Sequence, residues 1–226
     1  MAGGRGERLG GQPKQFRPLG GIPVLCWAVR PLLDGTSGEV VVVLPEGALE
    51  EGAELLGEYL EGSARRVRLA AGGARRQDSV RAGLGALERA GGAVVVHDGA
   101  RPFASAALVE RVAREAAGGK AVVPAIPTAD TIKRVDEGRV VETIERRAAV
   151  AVQTPQGFPL AVLEAAHAAW PGDEEATDDA AMCERMGAPV AWVPGEALNR
   201  KLTGPEDWWW AERVVESGRV RWGGST

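Results

Sequence analysis

The sequence predicts an α/β fold: a Rossmann-like, mostly parallel sheet with helices on both faces, plus a β-arm over 127–152. Three observations carry that prediction. Continuous apolar runs at 39–44 and 93–97 are bounded by turns, as in strands buried on both faces. They alternate with longer stretches at helical spacing, the rhythm of parallel strand–helix units. Asp98-Gly-Ala-Arg-Pro102 follows the second run, at the carboxyl end where open α/β sheets bind ligands. The 226 residues, 45% of them hydrophobic, suit a single domain with a buried core.

A sheet of this kind begins with a strand immediately before its first glycine loop, and Met1 stands where that strand should end. A first strand is therefore expected to be missing ahead of Met1. Richness in Ala, Gly, Arg and Val fits a GC-rich gene, in which a start codon is easily placed too late. Pro23 opens a helix that ends near Asp34-Gly35, since proline suits a first turn. A strand at 39–44, a helix at 47–60 and a short strand at 67–70 follow. The second glycine turn, within 71–80, leads into a helix through Leu84 and Leu87. A strand at 93–97, a helix at 105–117 and a strand at 120–125 complete another unit.

Then the rhythm breaks. Residues 131–135 and 139–143 read as a hairpin turning at Glu137-Gly138, with edges exposed unless a partner covers them. Residues 153–158 read as a link to a helix at 160–169. Thr177 is expected to cap the next helix, 189–193 to form a late strand, and Pro205 to open a final helix. That helix bears Trp208, Trp209 and Trp210, which cannot share one face, so at least one must meet solvent or a partner.

The net charge of −4 argues against general nucleic-acid binding, so any polyanion site must be a local patch of Arg and Lys. Cys26 and Cys183 fit no metal spacing, no secretory signal is visible, and a reducing cytoplasm is expected. Nothing approaches a membrane-spanning length of apolar residues.

In residues 1–16, glycines interleave with Arg5, Arg8 and Lys14, and Glu7 is the only acid. Glycine lets backbone amides approach a ligand, and a nest of amides ringed by cations suits a polyphosphate. No Gly-Lys-Ser/Thr closes the loop, so it is not a Walker motif. Taken alone, Arg8 and Lys14 would pass for solvated surface cations and Lys201 for a charge flanking the last helix. Ser79 would be a first-turn helix residue, Asp98 a turn cap, and His97 a satisfied buried ring.

The order Ala-Gly-Gly-x-Gly-x-Arg-Leu-Gly, then Pro-Lys-Gln-Phe, resembles the signature loop of sugar-phosphate nucleotidyltransferases. With the stretches 72–84, 97–102, 130–134, 143–146, 153–158, 177–178 and 199–203, the chain resembles the 2-C-methyl-D-erythritol 4-phosphate cytidylyltransferase family along essentially its whole length. Each stretch is weak alone; their conjunction in this order is specific. The resemblance implies transfer of CMP from CTP to 2-C-methyl-D-erythritol 4-phosphate, with release of pyrophosphate, in non-mevalonate isoprenoid synthesis. It assigns transition-state stabilisation to Arg8 and Lys14, and positioning of the incoming phosphate to Lys201. Backbone groups around Ala2, Gly3, Gly4 and Gly73 would read cytosine, with Ser79 near the base. Ala74 stands where some members carry an acid, so backbone contact alone is expected there. Asp98 and the adjacent Gly99 would lie near the ribose or the metal. Thr131 and Arg146 would reach the acceptor across a homodimer, and Thr154 and Thr177 would offer loop hydroxyls. Mg2+ would be bound mainly through the CTP phosphates.

Two other readings stay open at this stage. A cytidylyltransferase for another polyol phosphate, such as ribitol 5-phosphate, would keep the CTP loop and change the acceptor pocket. A nonenzymatic nucleotide-binding module would have no need of Arg8, Lys14 and Lys201 together.

Overall fold

The computed structural model describes residues 14–88 and 91–223. The readings made on Ala2, Gly3, Gly4, Arg8 and a strand ahead of Met1 lie outside them. The described chain opens with a short hairpin, β1 (Pro18–Leu19) and β2 (Ile22–Pro23), turning through Gly20 and Gly21 at φ of 58° and 81°. Helix α1 (Val24–Gly35) starts directly after Pro23, which stands outside its first turn as the N-cap. Strand β3 (Val40–Leu44), helix α2 (Leu49–Leu60) and strand β4 (Val67–Ala71) form a unit in which β3 and β4 pair in parallel. Helix α3 (Arg76–Gly85), strand β5 (Ala93–Val96), helix α4 (Ala106–Ala117) and strand β6 (Ala121–Pro127) follow. Ser105 caps α4 through its hydroxyl, which accepts from the Leu108 amide at 3.0 Å.

The arm is β7 (Lys133–Asp136) and β8 (Arg139–Thr143), turning at Glu137 and Gly138 with φ of 43° and 78°. Two positive φ values in a two-residue turn match the twist of a hairpin. After it come β9 (Val150–Val152), β10 (Gln156–Pro159), α5 (Leu160–Ala169), α6 (Asp179–Arg185), β11 (Val190–Pro194) and α7 (Pro205–Glu216).

The main sheet runs β11-β6-β10-β5, with β9 added on β6. Strands β5, β6 and β11 share one direction, and β10 lies antiparallel between β5 and β6. Successive side chains of β6 and β5 point to opposite faces. Val96, Ala121 and Val123 meet Phe158 and the helices α3, α5 and α6, whereas Val95 and Val122 meet α4. The result is an α/β fold with a mostly parallel sheet and helices on both faces. Among the described residues, β3 and β5 are not paired with each other, and together they line an apolar cleft of 560 Å³. No helix among the described residues is long and apolar enough to cross a membrane.

Three local expectations are corrected. The link at 153–158 contains a strand, β10, whose Phe158 is fully buried. Its Pro155, Gly157 and Pro159 look like breakers, yet Gly157 is what lets α4 press on the sheet. A Cβ there would stand 2.7 Å from Val112 Cγ1 and 2.9 Å from the Val112 carbonyl. The cap of α6 is Asp178 rather than Thr177, its carboxylate accepting from the Ala181 amide at 2.8 Å. Helix α3 ends at Gly85, ahead of Leu87.

Candidate active site

The second glycine turn sits between β4 and α3. Gly73 donates its amide to Ser79 Oγ at 3.1 Å, so the buried serine holds the turn from the first turns of α3. A Cβ on Gly73 would meet Asp78 Cβ at 2.4 Å, which restricts the position to glycine. The turn thereby keeps its backbone exposed and pinned at once.

Strand β5 delivers His97, Asp98 and Gly99, all buried, at its carboxyl end. His97 Nε2 lies 3.1 Å from the Arg101 carbonyl, which only accepts, so Nε2 carries the proton. Nδ1 then accepts from Thr154 Oγ at 3.0 Å, and the same hydroxyl accepts from the Asp98 amide at 3.0 Å. Burial, the largest cause, pushes the His97 pKa down to about 4, so the ring is neutral at physiological pH. Thr154 therefore has its hydroxyl committed within the loop.

The Asp98 carboxylate lies among three cations. Lys201 Nζ is 2.9 Å from Oδ2, Arg101 Nε 3.8 Å from Oδ2, and Arg76 Nε 3.6 Å from Oδ1. Burial alone would raise this carboxyl, but Lys201 and Arg76 outweigh it and hold the group well below the usual range. Arg76 also pairs with Asp179 at 2.8 Å, and Asp179, with no exposure at all, faces His167 Nε2 at 3.0 Å. Burial would lower the Arg76 pKa, but Asp179 and Asp98 reverse that and raise it.

The segment 199–203 is strapped against this loop. Buried Asn199 donates Nδ2 to the Thr154 carbonyl at 2.8 Å and accepts from Arg101 Nη1 through its own carbonyl at 2.8 Å. The Leu202 amide donates to the Ala100 carbonyl at 2.8 Å. Lys14 reaches the same segment, its Nζ 3.5 Å from the Leu202 carbonyl, 188 positions away in sequence. Lys14, Asp98 and Lys201 are thus brought together at the end of β5.

Thr131 and Arg146 stand exposed on the arm and Thr177 is exposed before α6, and none of them is among the ion-pair partners of Asp98 within this chain. Sequence reasoning passed over Arg76, Asp179 and His167. Their network spans 76, 98, 167 and 179, and no local pattern announces it. Cys26 and Cys183 are buried in separate core clusters, where burial pushes their thiols up to about 12 and about 11. Among the described residues, no three His, Cys, Asp or Glu side chains converge as a metal cage. The arrangement offers a lysine pre-aligned by a carboxylate, a second lysine that reaches the backbone of the same segment, and an exposed glycine turn, a set suited to aligning polyanions.

Comparison with known proteins agrees. The family model "IspD: 2-C-methyl-D-erythritol 4-phosphate cytidylyltransferase" matches residues 1–217. A bifunctional enzyme IspD/IspF from Solidesulfovibrio magneticus is 47% identical over 216 residues, covering 92% of this chain and 54% of that protein. The chain thus spans about half the length of the bifunctional relatives it matches. A 2-C-methyl-D-erythritol 4-phosphate cytidylyltransferase from Nocardia farcinica is 46% identical, covering 95% of this chain and 91% of that one. The crystal structure of the cytidylyltransferase from Thermus thermophilus superposes with a TM-score of 0.76 at 39% identity, covering 91% of this chain and 95% of that one. On a match that spans 1–217, the chain belongs to the 2-C-methyl-D-erythritol 4-phosphate cytidylyltransferase family.

Proposed function

We propose that this protein transfers CMP from CTP to 2-C-methyl-D-erythritol 4-phosphate and releases pyrophosphate, working in the cytoplasm as a homodimer. The observation that carries the reading is the meeting of Lys14 with the Lys201 segment beside Asp98. In the transfer, an oxygen of the acceptor phosphate forms a bond to the α-phosphorus of CTP. The bond from that phosphorus to the bridging oxygen breaks, and its electron pair leaves on pyrophosphate. A phosphate nucleophile is already ionised at neutral pH, so no general base is required. Neutral His97, committed to Thr154 and Arg101, is not asked to be one.

The work left to the protein is alignment and charge neutralisation. Lys201, aimed by Asp98, receives the acceptor phosphate. Lys14 and Arg8 meet charge on the CTP phosphates, and the backbone around Gly73, with Ala2, Gly3 and Gly4, reads cytosine. Magnesium would take most of its oxygen ligands from the CTP triphosphate, because both oxygens of the Asp98 carboxylate already face Lys201 and Arg76. When bound, it would neutralise phosphate oxygens. Arg146 and Thr131 of the exposed arm serve the site of a second copy, where the planar guanidinium suits a phosphate.

Pyrophosphate release tests the reading. It should require CTP and 2-C-methyl-D-erythritol 4-phosphate together, and ribitol 5-phosphate or UTP should serve poorly. Uracil reverses the donor–acceptor pattern of cytosine and would leave site groups unpaired. Equal turnover of ribitol 5-phosphate would point to another polyol phosphate, and nucleotide binding without release would leave only a binding module. For the arm, Lys14→Ala and Arg146→Ala proteins should each be nearly inactive. Once mixed and allowed to exchange subunits, they should recover roughly a quarter of the sites by twofold symmetry. No recovery despite demonstrated exchange would remove the shared site.

A further inference from the structure

The buried charges behind Asp98 are not used by the reaction as described, and their arrangement is directional. Arg76 is the first residue of α3, two positions beyond Ala74 in the glycine turn. Its guanidinium lies 3.6 Å from one Asp98 oxygen, while Lys201 lies 2.9 Å from the other. The carboxylate is therefore gripped on its two sides by cations from distant parts of the sequence. Behind Arg76, Asp179 at the start of α6 lies 2.8 Å away, and it is fully buried. An interior carboxylate is costly to desolvate, and such pairs often add little net stability compared with apolar packing. This one stands against Arg76 Nη1 and so limits where the guanidinium can lie. His167 Nε2, 3.0 Å from the other Asp179 oxygen, fixes the carboxylate in turn.

We propose that Arg76 is a positioning residue of the transfer reaction: held by Asp179, it sets the Asp98 carboxylate, and through it Lys201, relative to the glycine turn carrying Ser79. The network thereby links the element that reads the nucleotide to the lysine that receives the acceptor. This rests on the cytidylyl-transfer reading above.

The test is a double-mutant cycle on the full chain, with CTP and 2-C-methyl-D-erythritol 4-phosphate varied separately. Arg76→Ala should lower kcat/KM for the acceptor by about 10- to 100-fold, the scale of a misplaced reacting group, and change KM for CTP far less. In an Asp98→Asn background the same change should cost about 2-fold or less, because Arg76 acts through that carboxylate. Arg76→Lys should recover part of the loss, and Asp179→Asn should reproduce the acceptor-selective defect, which covers the case in which Arg76→Ala does not fold. Melting temperatures measured alongside separate positioning from folding. Losses that add across Arg76 and Asp98, or that fall equally on both substrates in step with Tm, would overturn the proposal. A wild-type protein that fails to turn over this substrate pair would instead sink the cytidylyl-transfer reading.

Discussion

The β-arm and the loop after β5 are opposite kinds of structure. Every residue of β7 and β8 is exposed, with Val135 at 64% and Val140 at 63%, and an ion pair between Arg134 and Glu142 at 2.9 Å lies across the two strands. In the loop, His97, Asp98 and Gly99 are buried, and the imidazole, the carboxylate and the Thr154 hydroxyl each have partners within the chain. The difference separates two ways of placing a functional group. Lys201 is aimed before any substrate arrives, because Asp98 and the strap at 199–203 aim it. Exposed Arg146 is not braced in this way among the described residues, so its direction has to come from whatever covers the arm.

The contrast can be broken at both ends, beginning where the effect should be largest. Lys14→Ala removes a cation from the aimed side, and loss of such a donor costs on the order of 3–4 kcal/mol, or about 100- to 1,000-fold in turnover. CTP affinity, measured by calorimetry, should change little beside single-turnover rates. A rate loss below about 10-fold would take Lys14 out of the mechanism.

Next in size is a pH effect confined to the loop. His97 binds its proton only near pH 4 when folded, against an ordinary value of 6.5. Between those values the unfolded chain holds more protons, so stability falls as the pH drops. The stabilisation is fully present above about pH 7 and diminishes toward pH 4, by on the order of 3 kcal/mol. Asp98 has the depressed carboxylate pattern, so its contribution stands above its ordinary 3.8 and is lost at lower pH. Urea unfolding at about pH 7.5 and about pH 5 should show the His97 slope, and His97→Asn should flatten it. A slope unchanged in that variant would mean that His97 is not the group responsible.

Gly157→Ala should follow, costing about 1–3 kcal/mol by forcing α4 off β10. Thermal unfolding would measure it, and a neutral result would mean the helix gives way freely. Smallest should be Arg134→Ala on the arm, within about 0–1 kcal/mol, as for exposed ion pairs. A larger loss of folding stability there would show that the arm packs more firmly than its exposure implies.

The same contrast explains what could be read from sequence. The arm was legible because a hairpin is local: alternating residues flank Glu137-Gly138, and the turn conformation follows from those two positions. The runs at β3 and β5 were legible as unbroken apolar stretches, although only β3 is largely buried and β5 has Val94 and Val95 half-buried beside the cleft. Strand β10 was not, because Pro155, Gly157 and Pro159 are punctuation until α4 is known to press on Gly157. Within the site, Lys14, Asp98 and Lys201 were named from motifs, and the fold brings them together. Arg76 and Asp179 were hidden as halves of Arg-Arg and Asp-Asp pairs, where composition cannot tell the clamped member from the solvated one. Long-range charge networks leave no periodicity to find.

The tryptophans of α7 divide as the helix geometry requires: Trp208 is buried, Trp209 is 65% exposed, and Trp210 lies between them. Trp210 packs against Phe103 at 5.9 Å and carries the Arg200 guanidinium 4.7 Å above its ring. Arg200 is the neighbour of Lys201, so any shift of that strap changes the charge over an indole. Indole emission responds to such a charge, and Trp209 is open to a soluble quencher such as iodide that Trp208 is shielded from. Substrate binding that shifts the strap should therefore change the protein's own ultraviolet fluorescence, readable without a label.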